Sequence, residues 1–438
     1  MEYITTKEAA HKWHITERRI RYLSKSGRIK GAVLIGHCWH IPSDANKPTY
    51  EEYIKMKQTS SYQKANLSDG NFGKYGGSHM PDSFKVFFDA IIPAFNELIE
   101  SKEYQKTLDT LFYKETPIYK ADKFIKKYGN VDLYIKREDL NSVNSIYLYQ
   151  AVLMALLTKK MNKIQFLTEA KDASYAFAVM TVCRKLNVEC EIYIPYSDYL
   201  RQRSLFDEVI KSGVRYLYIL EGNATIEDAT NSAFRKFLLE DATSLFCLHD
   251  AIGPHPIPSM VEYAQGIVGR TAYKQLKDLG VKQINSIIGP SFIASNTLGI
   301  FSGFPANCSH RIIVESSDIE SLFKKENIGY PYGFYSKYID KIKAELPESY
   351  PCISPKLTYL QEAKKVQLER VSDIDAMKAC VEFYNDEGIF PSLEDGYTLA
   401  YAIKRAKKMK CGNIVIAFTS NGEKDKDYIL KRLNEINK

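Results

Sequence analysis

The stretch KIQFLTEAKDASYAFAVMTVCRKLNVECEIYIP, Lys163–Pro195, settles the class of this chain. Two short apolar runs, KIQFLT and CEIYIP, flank SYAFAVMTVCRKLN, an amphipathic segment of helical length. Continuous apolar runs suit strands buried on both faces, and a helix between them is the crossover that a parallel sheet requires. The same alternation continues through VRYLYIL (Val214–Leu220), QINSIIG (Gln283–Gly289), RIIVES (Arg311–Ser316) and NIVIAF (Asn413–Phe418), with LRQRSLFDEVIKSG and DGYTLAYAIKRAKKM as further helices. The fold class is therefore predicted as α/β with parallel sheets. No period of 20 to 50 residues repeats, which excludes solenoids.

At 438 residues the chain is long enough for two or three domains with a sizeable core. A hydrophobic share of 45% beside 26% charged residues describes a soluble globular protein. No apolar run reaches the roughly 18 residues of a membrane span. The start, MEYITTKEAAHKWH, carries acidic residues and no apolar stretch, so it is not a signal peptide and the expected location is cytoplasmic. The eight cysteines form no C-x-x-C pair and are expected to be mostly buried thiols, with no metal site. The net charge of +7 is uneven: residues 1–48 hold nine Lys and Arg against four Asp and Glu, a net of +5. One end of the molecule suits a polyanion.

That basic end divides further. Thr5-Thr6-Lys7-Glu8 is a capping box. The helix it starts runs to about Trp13, with Ala9 and Ala10 small enough for close packing. His14-Ile15 turns the chain, Thr16 caps the helix ERRIRYLSKSG, and Gly27 ends it. Ile20 and Leu23 face inward there, while Arg18, Arg19, Arg21 and Lys25 are left for solvent or phosphate. IKGAVLIGHCWHIP then reads as a hairpin. The pattern over residues 1–48 resembles the excisionase-like winged helix-turn-helix family. That resemblance implies contact with double-stranded DNA through Thr16, Arg18, Arg19, Arg21, Lys25, Arg28 and Lys30, from a helix in the major groove and a wing on the backbone. Residues 49–70, polar and ending in Ser68-Asp69-Gly70, are expected to form a linker.

Residues 71–438 carry a second set of signals. The blocks NFGKYGGSHMPDS, TPIYKADKF, LYIKREDLN, GPHPIPSMVEYAQGIVGR and EGIFPSLEDGYTLAYAIKRAKKM follow in this order. Together they resemble the β subunit of tryptophan synthase, a pyridoxal-phosphate enzyme of fold type II. The resemblance implies two interleaved α/β subdomains with parallel sheets, commonly assembled as a homodimer. It also implies a Schiff-base lysine after KREDLN, within the family run His-Thr-Gly-Ala-His-Lys-Ile-Asn-Asn-Ala. Here that run is SVNSIYLYQA, so Tyr147 stands in the lysine's position and Ile146 in that of a phosphate-contacting histidine. A phenol cannot form an imine.

Other family elements are also altered. The carboxylate-binding loop Glu-Thr-Gly-Ala-Gly-Gln-His corresponds to Glu169-Ala170-Lys171-Asp172-Ala173-Ser174-Tyr175. Glu169 matches the family's proton-transfer glutamate, but the glycines that allow close backbone approach are missing and Asp172 would repel a carboxylate. The phosphate loop keeps Gly289, Ser295, Asn296 and Gly299, with an insertion and with Pro290 removing a donor. Glu394 and Ser420 match residues at the cofactor ring.

These changes lead to the expectation of a DNA-binding regulator whose synthase-like module is a pseudoenzyme without cofactor, serving as dimeriser or as sensor of a small molecule in the former cofactor cleft. One alternative is a noncanonical pyridoxal-phosphate-dependent lyase or synthase, holding the cofactor noncovalently or through another lysine such as Lys171. Another is a protein-interaction scaffold.

Overall fold

The computed structural model describes residues 3–436 apart from 26–28, 30, 36–37, 48–69, 74, 78–81, 113–114, 212–215, 292–293, 306–308, 319–320, 322 and 324–353. Two compact units divide the chain, Met1–Asn66 and Leu67–Lys438. All of the expected linker except Gly70 lies outside the described residues.

In the first unit the predicted capping box forms. The Thr5 hydroxyl accepts from the Glu8 amide at 3.2 Å, and the Glu8 carboxylate accepts from the Thr5 amide at 2.7 Å. This starts the helix Thr6–Trp13, which His14 ends in a left-handed conformation. A second helix, Glu17–Lys25, follows. The expected hairpin pairs Val33–Ile35 with Cys38–Pro42, and Tyr3–Thr5 adds a third antiparallel strand that the sequence reading missed. Ala9, Ala10, Trp13, Ile20, Leu23, Ile29 and Ile41 make the core.

The second unit holds two larger sheets. One has four parallel strands in the order Tyr216–Leu220, Glu189–Pro195, Gln165–Glu169, Ser244–Phe246. The other has six, in the order Gln367–Val371, His310–Ser316, Ser286–Pro290, Gly412–Phe418, Val131–Arg137, Ile118–Lys120. The last of these runs antiparallel to its neighbour, and the others run parallel. Gln165–Glu169 and Ser286–Pro290 are buried at every residue, as expected of strands covered on both faces. The helix expected over residues 200–213 is broken at Gln202 into Tyr196–Arg201 and Arg203–Lys211, where the Gln202 side chain turns inward to accept from the Ala173 amide at 3.0 Å.

Small residues bring two helices of this unit unusually close. The helix Ile257–Asp278 meets the helix Ala294–Ser302 backbone to backbone: a Cβ added to Gly303 would lie 2.0 Å from the Gly269 carbonyl carbon, and one added to Gly299 would lie 2.6 Å from the Gln265 carbonyl oxygen. None of the described helices is long and apolar enough to cross a membrane.

Candidate active site

In parallel sheets the strand ends and following turns frame a crevice. Here those turns bring most of the sequence-predicted residues into one buried cluster. Tyr147 opens the helix Tyr147–Lys160 and is 1% exposed. Its ring meets that of Tyr175 edge to face, with centroids 5.1 Å apart, and Tyr175 in turn lies 5.9 Å from the His249 ring. The Tyr175 hydroxyl pairs with Thr168 at 3.0 Å, and burial pushes its phenol well above the ordinary value. Ile146, fully buried, donates its amide to the Thr419 carbonyl at 2.9 Å and thereby ties the helix start to the turn carrying Ser420. Ser145 and Ser420 bridge alongside it.

Glu169 ends the strand Gln165–Glu169 and is fully buried. Its Oε1 accepts from the His249 amide at 3.1 Å and lies 2.5 Å from His249 Nδ1; its Oε2 has no hydrogen-bond partner among the described residues. Lys171 is buried in the following turn, and its carbonyl accepts from Arg201 and Gln202 at 3.2 Å each. Asp172 does more than repel. It caps the helix Ala173–Leu186, accepting from the Ser174 amide at 2.7 Å. It also lies 3.8 Å from the ammonium of Lys424, which Glu394 holds at 3.1 Å and Asp425 at 2.7 Å. Burial pushes the Asp425 carboxyl upward against the pull of Lys424. Next to this cluster lies a cavity of about 240 Å³ lined by Val143, Asn144, Ala173, Ser174, Leu205 and Lys424.

The expected phosphate turn is built differently from its sequence description. Gly289 packs under Thr297, whose Oγ1 a Cβ would meet at 2.4 Å, and Gly299 faces Gln265. Ser295 and Asn296 lie in the first turn of the helix Ala294–Ser302, both buried. Residues 292–293 of the insertion lie outside the described residues. Ser291 Oγ, Ser295 Oγ, Asn296 Oδ1 and Ser420 Oγ are buried with no hydrogen-bond partner among the described residues. Sequence reasoning missed Tyr175 as a ring in this cluster and missed His249 and Asp250 altogether. The available signal was the His-Asp pair immediately before AIGPHPIP.

A family profile described as "Pyridoxal-phosphate dependent enzyme" matches residues 110–420. The chain belongs to this pyridoxal-phosphate dependent enzyme family. The tryptophan synthase beta chain of Clostridium botulinum (strain Alaska E43 / Type E3) is 28% identical over 382 residues, covering 83% of this chain and 94% of that protein. The same protein of Clostridium botulinum (strain Eklund 17B / Type B) matches with the same identity and coverage. This overturns the expectation of a module without a cofactor, because the family is one of pyridoxal-phosphate dependent enzymes. Tyr147 weighed too heavily in that expectation: one side chain decides covalent attachment, whereas cofactor binding is spread over the whole crevice.

The residues of this family member meet the cofactor unevenly. The orphaned hydroxyls of Ser291, Ser295 and Ser420 can donate to a phosphate or to a ring nitrogen. A buried polar group left without a hydrogen bond costs about 1–3 kcal/mol, so these atoms favour a polar guest. Tyr147, at the start of the helix Tyr147–Lys160, presents a phenol and no amine to this cluster.

In the first unit Thr16 and Arg18 are exposed, and exposed Arg21 pairs with Glu17 at 2.9 Å, an i,i+4 ion pair that leaves its outer face open. Arg19 and Lys25 lie on the helix Glu17–Lys25, but their side chains, together with Arg28 and Lys30, lie outside the described residues. Among the described residues no cluster of His, Cys, Asp and Glu is placed to hold a metal ion.

Proposed function

We propose that this chain is a pyridoxal-phosphate-dependent lyase or synthase acting on an amino acid, related to tryptophan synthase β, with Tyr147 in the place of the Schiff-base lysine. The observation that carries the proposal is the set of buried, unpartnered polar atoms on Glu169, Ser291, Ser295, Asn296 and Ser420. Pyridoxal phosphate, when bound, supplies an electron sink for a substrate carbanion. Ser420 would hold the ring nitrogen, and the hydroxyls of Ser291 and Ser295 the phosphate. Glu169, backed by His249, holds or moves a proton at Oε2. The Tyr147–Tyr175 ring pair excludes water from the helix start. Lys171 is the lysine proposed for any covalent attachment; Lys424, held as an ammonium by three carboxylates, is a poor nucleophile.

The test is visible absorption with and without added pyridoxal phosphate, followed by borohydride reduction and peptide mass mapping. An adduct on Lys171 supports covalent attachment there, and a retained cofactor without adduct supports noncovalent binding. Absence of any binding sinks the proposal.

The uneven charge favours a second reading, in which residues 1–48 bind duplex DNA and the large unit dimerises or senses a ligand. Arg18→Ala with Arg21→Ala should then weaken binding to all duplexes alike and lower the salt slope by roughly 0.9 for each phosphate no longer neutralised. Salt-independent or undetectable binding by the unaltered chain removes this reading.

A further inference from the structure

Asp250 follows the strand Ser244–Phe246 of the four-stranded sheet, yet two of its partners belong to the first turn of the helix that follows the strand Ser286–Pro290 of the other sheet. Its carboxylate is fully buried and accepts from the Ala251 amide at 2.8 Å, the Ala294 amide at 3.0 Å and the Ser295 amide at 2.7 Å. The last two are N–H groups at the start of the helix Ala294–Ser302, which no residue within the helix can satisfy. Among the described residues no Lys, Arg or His pairs with Asp250. Among the described residues its carboxylate is held by amides and by the positive end of the helix.

A helix start of this kind takes an anion, and here the anion is part of the chain. The fit is incomplete. Ser291 Oγ, Ser295 Oγ and Asn296 Oδ1, at 8%, 0% and 1% residue exposure, remain without hydrogen-bond partners among the described residues around the same turn. A planar carboxylate has two oxygens, and this one already accepts from all three amides. A tetrahedral phosphate has three terminal oxygens and can accept both from the amides and from the leftover Ser291 and Ser295 hydroxyls.

We infer that Asp250 is a resident competitor for phosphate: its carboxylate has to leave the amides of Ala294 and Ser295 before a phosphate group can take its place. Asp250 thus sets how strongly the crevice prefers phosphorylated over unphosphorylated ligands. For pyridoxal phosphate the inference rests on the function proposed above; for phosphate itself it does not.

The experiment compares the full chain with Asp250→Asn and Asp250→Ala by calorimetric titration with inorganic phosphate, pyridoxal phosphate and pyridoxal. Asp250→Asn keeps the side-chain volume and one acceptor, so it guards against failure of the alanine variant to fold. The expected result is at least about tenfold tighter binding of phosphate and of pyridoxal phosphate by the variants, a gain of ~1.4 kcal/mol, with pyridoxal unchanged. Unchanged or weaker phosphate binding in the variants overturns the inference, and so does an equal gain for pyridoxal, which would mean a general loosening. If phosphate tightens while no protein binds pyridoxal phosphate, Asp250 keeps this role and the proposed cofactor does not. If the unaltered chain binds pyridoxal phosphate and the variants bind it no better, the reverse holds.

Discussion

Replacing Tyr147 by alanine tests whether its ring is part of the packing that shapes the crevice. The residue is 1% exposed and its neighbours Ile146, Leu148 and Ala151 are equally buried, so truncation empties the ring's volume with little room for collapse. Loss of a buried aromatic to alanine costs about 3–5 kcal/mol. Of this, roughly 0.5–1.5 kcal/mol belongs to the edge-to-face pair with Tyr175, whose centroid is 5.1 Å away. Thermal unfolding of Tyr147→Ala, Tyr175→Leu and the double variant gives both quantities, because the two losses add unless the rings interact. The double variant should be more stable than the sum of the single losses predicts, by the worth of the pair. A loss below about 1 kcal/mol for Tyr147→Ala, or strict additivity, would refute the claim that the two rings form one packed wall.

Three further outcomes are expected. Lys424→Met leaves Asp172, Glu394 and Asp425 buried without their common cation, and should lower stability by about 3–5 kcal/mol in thermal melts, the cost of breaking a buried ion pair from one side. Lys136 is fully buried, and burial pushes its ammonium below the ordinary value of 10.5, against the pull of Glu138. The unfolded chain then binds the extra proton, so stability rises with pH as it approaches 10.5. Lys136→Met should flatten that rise, and an unchanged slope would assign it to other groups. Thr5→Ala removes the hydroxyl that caps the helix Thr6–Trp13 and should cost about 1 kcal/mol, seen as earlier hydrogen exchange at the Glu8 amide.

The strands that the sequence revealed are those whose burial needs nothing but their own side chains. Gln165–Glu169, Glu189–Pro195 and Ser286–Pro290 are runs of this kind. Val131–Arg137 escaped notice although it lies inside the larger sheet, because it ends in Lys136 and Arg137. Those charges become tolerable only through partners outside the strand: Lys136 donates to the Thr116 carbonyl at 2.6 Å, and Arg137 forks onto Asp139 at 2.8 and 2.6 Å. Gln367–Val371, half-exposed at the sheet edge, lacks an apolar run altogether. At the site, Tyr147, Glu169 and Ser420 were legible because each stands in a recognisable block. Asp250 was not, because its partners are 44 and 45 residues further along the chain and its role exists only once the two sheets meet. Asp172 was legible as a charge but not as a cap, since its effect depends on whether the next residue begins a helix.

The glycine-lined approach of the helices Ile257–Asp278 and Ala294–Ser302 has a mechanical consequence. Where side chains separate two helices, rotamer changes let one slide by a fraction of an ångström. Here backbone lies on backbone at Gly269, Gly299 and Gly303, so there is no soft layer to yield. The two helices therefore move as a single stiff girder, anchored at its far end by Gln275, which donates to the Thr116 carbonyl at 3.0 Å.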